Sequence, residues 1–368
     1  MSQSAIADRP SLRLLMGLAA TVIVVAGLRA AETVLAPVAF SLFLALLSHP
    51  LFQGLRRRGV PTGIAVLVTM TALGIVLSGF ALLLLGSLGE FREVGPHYYA
   101  SLQERFAYTV EWWAAKGIVI TDWIPPKWQR PEAIVGIAGT TVKGAVALLS
   151  ASTVVLLTLV FLLFEAARMP QKLERLPERV RARIERFAHV SSELQRYLLI
   201  KTAMSAAIGL AAGLWVAFLG VDFPVLCGLI AFACHFIPNV GALLAGLPPV
   251  LISFVQYDPA KSLAVAVGYA VLGTLLGNLL EPALMGRRLG LSPLVVFVSL
   301  VAWGWLWGPI GMFLSVPLTM SLKIVLQSSD ELRWVAVLLG GGGPAPPSAP
   351  AASEAPSPDA TTEDAPGA

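Results

Sequence analysis

The side chains of this 368-residue chain that could do chemistry stand in apolar surroundings. Asn278 and Glu281 are three apart, so on a helix they share a face. A carboxylate at the end of an apolar span can hold a cation or a proton, or it can form an interfacial salt bridge, here to Arg287 or Arg288. His235 lies within an apolar stretch, where it either couples protons or stays neutral and bonds a carbonyl. Pro238, Asn239 and Gly241 follow it. Proline removes a backbone donor and glycine permits a reversal. The freed peptide groups then need partners, which a polar solute or neighbouring protein can supply, and the Asn239 amide offers both donor and acceptor. Gly308 and Gly311 mark a similar break further on, beside Trp303, Trp305 and Trp307. Those rings could stack on a ring-shaped solute or anchor at the membrane interface. The expected solute-lining residues are therefore Pro238, Asn239, Gly241, Asn278, Trp305, Gly308 and Gly311, and the expected ion- or proton-coupling residues are Glu281 and His235.

No catalytic constellation accompanies them. The chain has no H-E-x-x-H, G-x-S-x-G or Walker loop and no Cys/His spacing suited to a metal. The expectation is a protein that is not an enzyme and uses neither cofactor nor metal. With no nucleotide site, any active transport must be secondary. Cys227 and Cys234 share one apolar segment and read as packing residues rather than a disulfide framework.

The elements that position these residues are membrane helices. Hydrophobic residues make up 56% of the chain and charged residues 13%, against roughly 45–50% and 25% in soluble domains. Candidate spans are 12–31, 33–54, 63–88, 142–164, 203–221 and 260–280, each close to the ~20 apolar residues that cross ~30 Å of hydrocarbon. The first lacks a small-residue cleavage site and reads as a retained anchor. Lys and Arg cluster at span ends, so the slight basic excess is no nucleic-acid signal. Arg9, Arg13, Arg56 to Arg58, a basic segment from Arg168 to Lys201, Arg287, Arg288, Lys323 and Arg333 all fall on one side. The positive-inside rule makes that side, and both termini, cytoplasmic.

Six regions follow: N-terminal spans 1–89, an extracytoplasmic amphipathic loop 90–141, a span 142–164, a basic cytoplasmic region 165–202, a transport core 203–335 and an acidic Pro/Ala-rich tail 336–368. The loop carries Trp112, Trp113, Trp123 and Trp128, and reads either as a helical region at the interface or as a ligand-capturing cap. In 177–200, Val180, Ile184, Phe187, Val190 and Leu194 recur at helical spacing opposite a basic face, which suits lipid headgroups, a neighbouring subunit or a plain connector. Asp222, Asp258 and Lys261 read as markers of outer span ends. The tail cannot bury enough apolar surface to fold.

Two further apolar stretches, 224–256 and 293–326, are each interrupted by a Pro/Gly cluster, with Pro224 as far from Pro248 as Pro293 is from Pro317. Their arms are short for a straight crossing and suit re-entrant hairpins or broken helices. Gly209-x-x-x-Gly213 and Gly273-x-x-x-Gly277 precede them in the same order. Either these are ordinary small-residue packing motifs, or the unit is one span plus one hairpin, occurring twice and inverted, as in alternating-access transporters. The expected fold is an all-α polytopic membrane protein of about eight membrane segments, including two broken or re-entrant hairpins in an inverted repeat.

An ordered series of motifs then points to a family. It runs His235-Phe-Ile-Pro-Asn-Val-Gly241, Leu247-Pro-Pro-Val-Leu251, Asn278-Leu-Leu-Glu-Pro282 with Met285-Gly286, Leu291-Ser-Pro293, Trp303-Gly-Trp-Leu-Trp-Gly-Pro-Ile-Gly311 and Val316-Pro317. Over roughly residues 12–335 the chain resembles the autoinducer-2 exporter family of bacterial inner-membrane permeases. The resemblance implies a multi-pass inner-membrane homo-oligomer that exports a small polar solute, with autoinducer-2 as the founding substrate. It also implies H+ or Na+ as a coupling ion in some members, so a cation/proton antiporter is the alternative on the same scaffold. A non-transporting scaffold that docks partners through the basic helix is the alternative of another class. Membrane lipids are partners in every case.

Overall fold

The computed structural model describes residues 10–116, 152–238, 240–285, 291–327 and 333–340. Every regular element among them is helical: α1 (Pro10–Ala30), α2 (Glu32–Arg57), α3 (Thr62–Ala115), α4 (Ser152–Glu174), α5 (Glu178–Phe218), α6 (Pro224–His235), α7 (Gly241–Gln256), α8 (Pro259–Leu272), a π-helical segment (Gly273–Leu280), α9 (Glu281–Met285), α10 (Pro293–Gln327) and α11 (Arg333–Leu338). Six stretches are long and apolar enough to cross a membrane: Glu32–Arg57, Thr62–Gly95, Thr153–Glu174, Ser192–Phe218, Pro259–Met285 and Pro293–Gln327. That makes a helical membrane protein.

Local chemistry sets several ends. α2 closes at Gly59, in the left-handed region at φ 82°, with Gly59 N donating to Arg56 O and Val60 N to Leu55 O. α5 closes in the same way at Gly220, φ 69°, with Val221 N donating to Val216 O. These are glycine-terminated caps that satisfy the last carbonyls. Pro224 then opens α6 at a first-turn position, where its missing N–H costs nothing.

Elsewhere the helices outrun the boundaries drawn from sequence. α3 continues past residue 89 into the region expected to be amphipathic from residue 90, as far as Ala115. Trp123 and Trp128 of that loop lie outside the described residues. α4 passes residue 164 and ends at Glu174. The basic helix and the span beginning at 203 are one helix, α5. Charge marks where a helix leaves the membrane but does not end it, because Arg, Lys and Glu are good helix formers.

The first interrupted stretch is a pair of helices, α6 and α7, joined at residues 236–240. The reversal is tight. A Cβ on Gly241 would stand 1.9 Å from the Cys234 carbonyl oxygen, so the second arm starts against the last turn of the first. α6 runs antiparallel to α5 with backbones almost touching: a Cβ on Gly209 would lie 2.8 Å from Gly228 O, and one on Gly213 3.1 Å from Pro224 O. The first Gly-x-x-x-Gly is thus a close-packing surface. The second faces the same hairpin rather than α10. Gly273 sits opposite Ala242, and a Cβ on Gly277 would lie 3.4 Å from His235 Cε1.

The second interrupted stretch is α10. Trp307 and Gly308 leave helical geometry, and the chain folds back there. The Trp303 indole N–H donates to Thr319 Oγ1 at 3.0 Å, and a Cβ on Gly311 would stand 1.9 Å from Trp303 O. In a straight helix, residues sixteen apart would be separated by about 24 Å. The two hairpins meet at Phe236 and Phe313, stacked with centroids 4.1 Å apart, with Phe43 of α2 edge-on to both. This aromatic contact lies in the main core, with Leu159, Leu163, Leu198 and Leu314 around it.

Candidate functional site

The site begins with a helical stripe. On α5, Leu194, Leu198, Lys201, Ser205, Ile208 and Ala212 recur at steps of three and four, and all are buried. Lys201, 7% exposed, thus takes a core position on a membrane helix. An ammonium there requires a counter-charge, and Glu281, itself 9% exposed, supplies it. Lys201 Nζ donates to Glu281 Oε1 at 2.8 Å. The other carboxylate oxygen, Oε2, lies 2.7 Å from His235 Nε2, and Lys201 Nζ is 3.5 Å from the same ring nitrogen. Three separate elements therefore converge on one carboxylate.

Each reaches it for a local reason. His235 is the last residue of α6, where a basic group also suits the negative end of the helix dipole. Gly277 leaves the imidazole room to approach. Glu281 follows the π-helical segment, and its N–H closes a wide turn on Leu276 O. Such segments recur at functional sites.

The triad lines a cleft of about 750 Å³. Ile237 and Pro238 of the hairpin tip line it, with Leu243, Leu247 and Val250 of α7 and Thr274, Gly277 and Asn278 of the π-helical segment. Lys201, His235, Thr274, Asn278 and Glu281 put polar groups on one part of the wall, and the α7 side chains make the rest apolar. A small solute with polar edges fits such a lining.

The structure brings Pro238, Asn278, His235 and Glu281 together around this cleft. Gly241 is at the hairpin turn behind it, and Asn239 lies outside the described residues. Trp305, Gly308 and Gly311 are elsewhere. Trp305 lines a second cleft of about 610 Å³ against α1 with Thr21, Val25 and Arg29, and the Arg29 guanidinium stands 4.2 Å over its ring. Trp307 donates to Leu28 O at 3.1 Å, and Gly308 faces Glu32. The tip of the second hairpin therefore reaches the α1–α2 junction rather than the break of the first. Glu281 is bonded to Lys201 and His235, while Arg287 and Arg288, its expected salt-bridge partners, lie outside the described residues.

The positive-inside rule alone places Lys201 among the cytoplasmic cations, whereas its position three residues after Leu198, on the apolar stripe that continues through α5, places it in the core. No group of three or more His, Cys, Asp or Glu suited to a metal occurs among the described residues.

Comparison with known proteins identifies relatives along nearly the whole chain. A family model described as "AI-2E family transporter" matches residues 18–330. "AI-2 transport protein TqsA" of Escherichia coli K12 is 35% identical over 331 residues, covering 89% of this chain and 95% of that protein. "Putative transport protein YhhT" of the same organism is 29% identical over 337 residues, covering 92% and 97%. A Haemophilus influenzae relative, named "Putative transport protein", is 32% identical over 343 residues, covering 89% and 96%. These relatives are named as transport proteins, not enzymes.

Proposed function

Given that this chain belongs to the AI-2E transporter family, a family of multi-pass bacterial membrane transporters, we propose that it exports a small polar solute by alternating access. On this reading the solute site is the cleft at Glu281, Lys201 and His235. The broken or re-entrant hairpins enter from opposite faces and belong to two inverted units, with both termini in the cytoplasm. The protein works as a homo-oligomer in the inner membrane. Transport is secondary, with H+ or Na+ as the coupling ion.

The observation that carries the reading is the buried carboxylate. Glu281 is held on one oxygen by Lys201 and on the other by His235, at the wall of a cleft formed by the broken hairpin. Ionisable groups inside membrane segments mark transport pathways and proton relays. A carboxylate shared by two bases can exchange one partner for a proton, an ion or a solute hydroxyl. The name of the E. coli relative, AI-2 transport protein, makes autoinducer-2 the first solute to test. The second reading, a cation/proton antiporter, is favoured by the same carboxylate.

Reconstitution in liposomes separates the two. Efflux of autoinducer-2 or a related small polyol that rises with an imposed proton or sodium gradient, and falls in Asn278→Ala, supports the exporter. Cation/proton exchange without solute movement, lost in Glu281→Gln, supports the antiporter. No flux of any kind would sink both.

A further inference from the structure

The outer end of the first hairpin is tied in a way that its packing does not require. Residues 220–223 join α5 to α6, and Gln256 and Tyr257 end α7, so both ends of the hairpin emerge at one place. Gln256 Nε2 donates to Asp222 Oδ1 at 2.8 Å, and Asp222 N donates to Gln256 Oε1 at 3.1 Å. The Tyr257 hydroxyl donates to Gly220 O at 2.7 Å. The other carboxylate oxygen of Asp222 accepts the hydroxyl of Tyr98, on the part of α3 that extends past the span ending at Gly95. Burial, that hydrogen bond and the carboxylate's charge all push the Tyr98 phenol above its ordinary range, so it remains a donor.

Phe223 sits at the centre of this cluster. At φ 58°, ψ 45° it is the one non-glycine residue with positive φ among the described residues, and it precedes a proline, which itself disfavours helical backbone. Such strain persists only where the surroundings hold it, and it gathers at switch regions. Here the holders are two rings from α3: Phe91 and Tyr98 meet the Phe223 ring edge-on, at centroid distances of 5.4 and 5.9 Å.

We propose that Tyr98, Asp222, Phe223 and Gln256 form an outer clasp that fixes the first hairpin to the α3 extension, and that it opens when the cleft turns toward the outside. One release frees both ends of the hairpin, because the same carboxylate holds them. Relaxation of Phe223 favours release. The inner end is held by the polar contacts of His235 and by Phe236 stacked on Phe313, a pivot about which a hairpin freed at its outer end can move.

The inference rests on the transport reading, but its test needs no solute. In a Cys227→Ala/Cys234→Ala background, a single reporter Thr274→Cys is placed in the cleft. Its labelling rate with a membrane-impermeant maleimide is measured in right-side-out and inverted vesicles. Tyr98→Phe keeps both ring contacts and deletes the hydroxyl, so the fold should survive it. The expected result is an outside-to-inside labelling ratio raised on the order of tenfold, the worth of one hydrogen bond to a charged group. Phe91→Ala, which removes one of the two rings that hold Phe223 and leaves its strain in place, should move it in the same direction. An unchanged ratio with a lowered melting temperature would make the cluster merely structural and overturn the proposal, as would a shift toward the inside. A raised ratio with no flux of any solute or ion would uphold the clasp and overturn the transport reading alone.

Discussion

Lys201 and Glu281 form a buried ion pair, and its energetics are asymmetric. Removing one partner leaves an uncompensated charge, at a cost of about 3–5 kcal/mol, whereas replacing both by apolar or neutral groups is close to neutral. Lys201→Met should therefore lower the midpoint of unfolding in detergent sharply. Lys201→Met/Glu281→Gln should be more stable than Lys201→Met alone, although neither should transport. A double variant less stable than the single one would mean that the two side chains are not energetically a pair. At the neighbouring Gly277, an added methyl would stand 3.4 Å from the His235 ring, close enough to press on it without clashing. Gly277→Ala should thus change stability by less than about 1 kcal/mol while reducing flux. At this scale the sequence was legible where a polar residue interrupts an apolar run, as at His235, Asn278 and Glu281. It misled at Lys201, because a lysine near a span end satisfies the positive-inside rule whether it faces water or the core. Asp222 shows the same ambiguity: it reads as a span-end marker and yet holds three elements together.

The elements depend on glycine at a few places where backbones touch. Gly228→Ala would set a methyl 2.7 Å from Gly209 O, a backbone atom that cannot step aside, whereas Gly74→Ala on α3 meets nothing within 4 Å. The first should destabilise α5 against α6 and reduce the folded yield. The second should be neutral or stabilising by up to about 1 kcal/mol, since alanine is the better helix former. Comparable melting temperatures for the two variants would contradict the close approach of α5 and α6. The hairpin breaks were readable because proline and glycine interrupt helices by known mechanisms. The lengths of α3 and α5 were not, since nothing in a polar, helix-favouring stretch such as 178–200 announces that the helix continues into the membrane.

For the whole molecule, one hairpin has its free ends at the α5–α6 turn, and the tip of the other reaches the α1–α2 junction. The proposed topology puts Arg58 inside and Ala260 outside, and both are exposed. Single cysteines at these positions should react with an impermeant reagent from opposite sides, Arg58→Cys in inverted vesicles and Ala260→Cys in right-side-out ones. Labelling of both from one side would reject that topology. Matched proline spacing showed that two stretches were broken alike, but not where their tips would lie, because that depends on contacts far apart in the chain, such as Phe236 with Phe313. The wide turns of Gly273–Leu280 carry one last consequence. A π-helical turn holds an extra residue, and a helix that sheds it rotates everything beyond by one residue's angle, about 100°. Glu281 stands immediately beyond. A screw motion in this segment would swing the carboxylate off Lys201 by turning only the last residues of the Pro259–Met285 stretch. Deleting Leu275 removes the extra residue, so the helix should become regular with Glu281 still on Lys201 and that rotation no longer available: the variant should keep the stability of the ion pair and lose flux.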